Sequence, residues 1–415
     1  MSNTIYVYEN FSSEEPVLLG RLYVEISRGA EHHSFEFEKE WLRGHRNAFI
    51  LDPDLLPVQG RQYPTGQKMT FGIFSDASPD RWGRVLMDRR ERFAADREGR
   101  KPRKLNAGDY LLGVYDETRM GAIRFKDPDG MFLSDDKETA APPWATLRTL
   151  EEASRNFENE ETTLQEKWLN QLIKPGSSLG GARPKATVQA PDGSLWIAKF
   201  PSRKDEYNMG AWEKTAHDLA RLCGLNVPES RLESLSKLGS TFLTKRFDRE
   251  GSQRKHFSSA MTMLGKIDGA SAEDGSGYLD IVSFLKANGA APKEDIEELW
   301  KRIVFSMAIT NTDDHLRNHG FILQKNGWRL SPLYDVNPCA YGDTLALNVN
   351  EYSNEISLEL AIEASDYYGL TKEQAERLAS ECIETVKQNW EKIAAKNGLS
   401  RGAIEYMRPA FSLCK

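Results

Sequence analysis

Four cysteines, Cys223, Cys339, Cys382 and Cys414, are all that 415 residues provide, and no two of them stand as C-x-x-C. Thiols so scattered are expected to form neither a zinc knuckle nor a disulfide framework, and an idle or buried role suits them. Long apolar runs are missing as well. No stretch approaches the roughly 18 residues that a membrane-spanning helix needs. The amino-terminal Met1-Ser2-Asn3-Thr4-Ile5-Tyr6 has no basic region followed by an apolar one. A secretory leader is therefore not legible, and a cytoplasmic protein without a membrane role is expected. Positive charge is not in excess: the formal net charge is −7 and the pI near 5.7, which argues against a surface given over to nucleic acid. The one dense basic stretch, Arg81 to Lys104, reads first as a solvated helix face with pairs such as Asp88 and Arg92, and otherwise as a local partner or nucleic-acid surface. Internal repeats and low-complexity tracts are absent.

What remains is an ordinary globular composition, 39% hydrophobic and 28% charged, with a mean hydropathy of −0.58. The length exceeds the roughly 250–300 residues at which one core stops growing, so two or three domains are expected. Short β-like runs fill the beginning: Ile5 to Tyr8, Val17 to Ile26, Phe35 to Phe37, Ala48 to Leu51, and a later pair, Tyr110 to Tyr115 and Gly121 to Phe125. One helix is expected among them, capped by Ser78 or Asp80 and running from Trp82 towards Phe93. The expected divisions are a small mixed subdomain over 1–126, a polar linker over 127–144, a nucleotide-binding lobe over 145–250 and a mostly helical lobe over 251–415. Helical periodicity is clearest over Ile296 to Ile309, Ile356 to Ala364 and Lys372 to Ala395.

Three clusters carry the parts that phosphoryl transfer needs: a phosphate cradle, a cation, metal-holding oxygens and a base. The first is a Gly/Ser loop ending in Ser177-Ser178-Leu179-Gly180-Gly181-Ala182-Arg183-Pro184-Lys185. Gly180 and Gly181 let backbone N–H groups approach phosphate oxygens, and Ser177, Ser178 and Lys185 add donors. A hairpin follows, Ala186 to Gln189 and Leu195 to Phe200. Lys199 lies on its apolar second strand, where an ammonium needs a partner. On the next helix, Glu213 is either that partner or a solvated side chain.

The second cluster is Asn311-Thr312-Asp313-Asp314-His315-Leu316-Arg317-Asn318, directly behind an apolar helix. Asp313 and Asn318 are five apart, the spacing at which a kinase catalytic loop carries its base and a Mg²⁺-holding asparagine. The bland alternative is a helix ending at Asn311 or Asp313, followed by an ordinary loop. His315 and His319 have no further His or Cys nearby to make a zinc site, and His315 is expected to order the loop. The third cluster surrounds Asp335. Between it and Asn318 the chain reads strand, Lys325-Asn326-Gly327 turn, strand. Such a hairpin returns Asp335 to the end where Asn318 lies, so both are candidates for one Mg²⁺.

The succession of the 178–185 loop, Trp196 to Pro201, Gly224-Leu225-Asn226-Val227-Pro228, Lys245-Arg246-Phe247-Asp248-Arg249, Thr312 to Asn318 and Tyr334-Asp335 resembles the HipA family of bacterial toxin kinases. Phe74 to Leu86 and Asp109 to Phe125 look like that family's amino-terminal region. The resemblance implies an α+β, two-lobed protein-kinase-like fold and an ATP- and Mg²⁺-dependent serine/threonine kinase. It also implies a protein substrate, aminoacyl-tRNA synthetases being the known type, and a helix-turn-helix antitoxin through which alone DNA is met. By carry-over Asp313 is the base, Asn318 and Asp335 hold the metal, Lys199 the phosphates, and Lys245 and Phe247 fall in the hinge that meets adenine. Ser178 is then the regulatory phosphosite. Arg183-Pro184 and Lys245 depart from the residues frequent in that family. A small-molecule kinase and a catalytically idle antitoxin-binding corepressor are the competing readings.

Overall fold

The computed structural model describes the chain apart from residues 1, 28, 46–48, 127–131, 134–140, 159–168, 170–171, 173–182 and 415. Most of the expected 127–144 linker and most of the Gly/Ser loop therefore lie outside the described residues. Two compact units are present: Met1–Arg203 with Lys245–Ser258, and Lys204–Thr244 with Ser259–Lys415.

The first unit opens with an antiparallel sheet of order β3-β2-β1-β4, made of β1 (Ser2–Glu9), β2 (Val17–Ser27), β3 (Ala30–Phe37) and β4 (Ile123–Lys126). The alternation of apolar residues decides which face is covered. Ile5, Leu22 and Phe35 form one cross-strand row and all are buried. In the next row Gly20 sits between Val7 and Phe37, and a Cβ there would come within 2.3 Å of the Glu36 carbonyl oxygen. Phe71, Phe74 and Phe125 meet Phe35 or one another edge to face and close this core.

The helix expected after residue 80 runs from Arg81 to Arg97, and Asp80 caps it by accepting from Gly83 N at 2.9 Å. Its Trp82, Leu86 and Met87 pack with Leu105, Ala153 and Phe157. Two expected strands are corrected. Residues 49–51 form none, and Tyr110 to Tyr115 is not extended: a helix spans Ala107–Leu112 instead. Asn106 and Asp109 exchange side-chain-to-backbone bonds at 2.9 and 3.0 Å, and this capping box overrides the β-like Tyr-Leu-Leu-Gly-Val-Tyr composition. The later hairpin, β5 (Lys185–Gln189) and β6 (Leu195–Lys199), turns through Gly193 at φ +82°.

The second unit is mostly helical. Trp212 and Leu219 from the helix Met209–Leu222, Phe305 from Pro292–Ala308, Val386 and Trp390 from Lys372–Lys396, and Phe411 share one core. Its strands are β7 (Ser230–Glu233), paired with β8 (Thr241–Lys245), and the hairpin Gly320–Gln324 with Gly327–Leu330. Gly327 is doubly required. Its φ is +129°, and a Cβ would lie 2.7 Å from the Asn288 carbonyl oxygen.

Candidate functional site

The core helix Pro292–Ala308 stops at Thr310, whose φ of +52° turns the chain out of the helix. Its hydroxyl donates to the Ala410 carbonyl at 2.8 Å, anchoring a conformation that a β-branched residue rarely adopts. Asn311 follows, buried, and its backbone N–H reaches back to Ser306 O at 2.8 Å. From there the polar octet folds on itself. His315 N donates to Asp313 O at 3.0 Å, Asn318 N to His315 O at 2.8 Å, and Asn318 Nδ2 to Asp313 O at 2.8 Å. The last bond assigns the ends of the Asn318 amide: its NH₂ is engaged, so Oδ1 is the end with lone pairs for a cation.

Asp313 and Asp314 divide the loop between two environments. Asp313 has a side chain 89% exposed, with His315 Nε2 at 3.9 Å. Its carboxyl is raised from the ordinary aspartate value, by lost hydration first and then by the nearby carboxylates of Asp335 and Asp314, while His315 opposes the rise. Asp314 is 3% exposed. Tyr278 Oη donates to its Oδ2 at 2.7 Å, Ser306 Oγ to the same oxygen at 3.3 Å, and His319 Nε2 lies 3.0 Å from Oδ1. Burial pushes the Asp314 carboxyl up, but His319 and these donors together hold it below its usual range. Sequence reading passed over Asp314 and gave the ordering role to His315. The buried imidazole that supports the loop is His319, and only tertiary contacts reveal it.

The hairpin brings Asp335 back as its turn chemistry suggested. Ser331 N donates to Gly320 O at 2.8 Å, and Tyr334 Oη to Arg317 O at 2.7 Å, so the residues preceding Asp335 and Asn318 are bonded to each other. Asp335 has φ +55°, the left-handed region that aspartate tolerates better than most side chains. Buried Leu333 and Val336 on either side hold it there. Beyond it, Asn337 N reaches Asn311 Oδ1 at 3.4 Å and Cys339 N reaches Thr310 O at 3.1 Å.

The remaining candidates are distributed differently. Ser177, Ser178, Gly180, Gly181 and Ala182 lie outside the described residues. Lys185, expected as a phosphate donor, is buried and its ammonium donates to Asp80 Oδ2 at 2.9 Å, while its carbonyl accepts from Trp82 Nε1 at 3.1 Å. Asp80 is thus helix cap and counter-ion together, and Lys185 is a structural cation, contrary to expectation. Its cross-strand neighbour Lys199 is half-buried in the first unit, whereas Glu213 is buried on a helix of the second. Lys245 ends β8, and Phe247 packs on Phe257 with ring centroids 5.8 Å apart.

A model of the HipA-like C-terminal domain matches residues 177–390, just over half of the chain. The chain belongs to the HipA-like family. Among curated relatives of this HipA-like chain, a provisionally named kinase of Haemophilus influenzae is 28% identical over 187 residues, covering 39% of the chain and 54% of that protein. The provisional kinase Y4dM of Sinorhizobium fredii is 29% identical over 234 residues, covering 51% and 54%. The chain spans about half the length of these relatives. HipA of Shewanella oneidensis MR-1, solved with HipB and operator DNA, superposes with a TM-score of 0.69 over 99% of this chain and 96% of that one, at 16% identity. That likeness shows the α+β fold of HipA in this chain. Among the described residues no helix is long and apolar enough to cross a membrane.

Proposed function

We propose that this HipA-like chain is an ATP-dependent serine/threonine protein kinase of two-lobed, kinase-like architecture, acting as the toxin of a toxin–antitoxin pair. The observation that carries the reading is the loop Asp313–Asn318 bonded through Arg317 to Tyr334, beside Asp335, over the buried Asp314. Asp313, exposed and raised in pKa, orients the acceptor hydroxyl and takes its proton as the bond to phosphorus forms. Asn318 Oδ1 and the Asp335 carboxylate are hard oxygen donors suited to Mg²⁺, two protein ligands being enough for an ion that shares phosphate oxygens. The ion would supply charge neutralisation for the transferring phosphoryl group. In this reading Lys199 holds nucleotide phosphates and the backbone around Lys245 and Phe247 meets adenine. Lys185 has no part in that cradle.

The Shewanella assembly of HipA, HipB and operator DNA supports an antitoxin partner here, a helix-turn-helix protein through which DNA is met indirectly. The acceptor is a serine in an essential protein such as an aminoacyl-tRNA synthetase, Ser178 is a self-modified regulatory serine, and the setting is the cytoplasm.

Incubation with labelled Mg-ATP, alone and with bacterial extract, tests the reading. Label should enter this chain or a protein band and be lost in Asp313→Asn. Label confined to small molecules defeats the protein-substrate reading, and no transfer at all defeats the kinase.

A further inference from the structure

In one region of the first unit, guanidinium groups outnumber the carboxylates they meet among the described residues. Around the irregular segment 113–122, Arg119, Arg124, Arg246, Arg249 and Arg254 share two carboxylates, Asp116 and Asp248. Asp248 is fully buried and accepts from Arg246 Nη2 at 2.7 Å, Arg249 Nη1 at 2.6 Å and Gly121 N at 2.8 Å. Asp116 accepts from Arg124 Nη2 at 2.6 Å and Arg254 Nη2 at 3.0 Å.

Backbone carbonyls take many of the other guanidinium hydrogens. Arg119 donates to Ala77, Leu111 and Val114, Arg246 to Thr118 and Arg119, and Arg249 to Glu117, Arg119 and Gly121. This explains why arginine is used: its fork satisfies carbonyls that no strand or helix reaches. Carbonyls satisfy hydrogen bonds but cancel no charge. Burial pushes Arg119 down to about 9 and also lowers Arg249 and Arg254 from the usual arginine value; neighbouring guanidinium groups add to the fall and the aspartates oppose it. Arg254, whose side chain is 10% exposed, has a buried Nη1 without a hydrogen-bond partner among the described residues.

Arg246, Arg249 and Arg254 also line a cavity of about 650 Å³, and Lys245 joins them. Acidic groups are present on its walls but two are engaged: Asp192 accepts from Ser194 N at 3.0 Å and Oγ at 2.6 Å, and Glu250 pairs with Lys255 at 2.7 Å. Glu117 is the third. We propose that this cavity binds a phosphate-class oxyanion through Arg249, Arg254 and Lys245. A doubly charged, three-oxygen acceptor matches guanidinium forks and offsets the surplus that the two aspartates leave. The site rests on the charge balance of this arginine cluster and stands whether or not the chain transfers phosphoryl groups.

Gly251 provides the test. It is exposed, lines the cavity, has φ +57° and has open space where a Cβ would be. Aspartate and asparagine both tolerate that conformation, so Gly251→Asp and Gly251→Asn differ chiefly in one negative charge at the cavity. Inorganic phosphate, titrated calorimetrically into the full chain at constant ionic strength, should bind saturably. At a hundredfold excess over Kd it should raise Tm by about 3 °C. Gly251→Asp should weaken binding by about tenfold or more, through like-charge repulsion, while Gly251→Asn stays within about twofold of the parent. ADP without magnesium forms a second arm, and the probe that loses more affinity in Gly251→Asp identifies a free anion or a phosphoryl-bearing metabolite as the ligand. Absence of saturable phosphate binding, or equal phosphate affinity in the Asp and Asn variants, overturns the proposal. Should Gly251→Asp fail to fold, Lys245→Ala replaces it and must lose phosphate affinity.

Discussion

Asp313 and Asp314 are adjacent in the chain, chemically identical, and placed in opposite surroundings. One is exposed, its carboxyl raised by lost hydration and by other carboxylates; the other is buried under Tyr278, Ser306 and His319 and kept ionised by them. The difference teaches that a polar run behind a core helix can hold its working group by burying the neighbour. Exposed charge costs little stability and is free for chemistry, whereas buried charge must be fully partnered and then fixes the backbone.

The sharpest way to break this comparison is to exchange the two losses. Asp313→Asn should lower phosphotransfer by about 10²–10⁴-fold, the range of a general base, with an unchanged urea midpoint. Asp335→Asn should abolish transfer too, but it should also weaken Mg-ATP binding, which Asp313→Asn leaves nearly normal; equal loss of binding in both would undo the separate roles. Asp314→Ala should act on the fold instead, costing about 3–5 kcal/mol by leaving His319 and Tyr278 without their acceptor. Urea unfolding reads that effect, and an Asp314→Ala protein as stable as the parent would mean that the buried network contributes nothing.

Tyr278→Phe sharpens the contrast by removing one donor from the buried carboxylate. A hydrogen bond to a charged group predicts a loss of about 1.5–3 kcal/mol in urea titration. The smallest effect near neutral pH concerns His256, in the first unit, whose ring stacks on Phe11 and which burial pushes down to about 3. Its folded pKa is depressed, so between the unfolded value near 6.5 and about 3 the unfolded chain takes up a proton that the folded one refuses. Stability should therefore fall as pH drops below about 6.5, by at most about 1.4 kcal/mol per pH unit from this group. His256→Phe should flatten that slope, measured as Tm against pH, and an unaltered slope would assign it to other groups.

Much of the candidate site could be read from local signals. The spacing of Asp313 and Asn318, the Lys325-Asn326-Gly327 turn and the strand-like runs beside it are all short-range, and the hairpin formed with the register that joins Arg317 to Tyr334. The helices expected over Ile296 to Ile309 and Lys372 to Ala395 appear as Pro292–Ala308 and Lys372–Lys396. What stayed hidden depends on partners distant in sequence. Nothing local marks Lys185 as the counter-ion of Asp80, 105 residues away, or Asp314 as buried under Tyr278, 36 residues before it. The strand assigned to Tyr110–Tyr115 failed for the opposite reason, since a local capping box outweighed side-chain composition.

The first unit is discontinuous in sequence, and its two pieces have to be made at different times. Arg246 grips the Thr118 carbonyl across 128 residues of chain, and Asp248 takes the Gly121 N–H across 127. At about 5–20 residues per second, a ribosome that has finished the 113–122 segment needs roughly 6–26 s to deliver these partners. Until then the carbonyls of Glu117, Thr118, Arg119 and Gly121 lack their guanidinium partners, and the unit cannot complete its fold. A nascent chain halted before residue 246 therefore lacks the clasp that closes its own first unit.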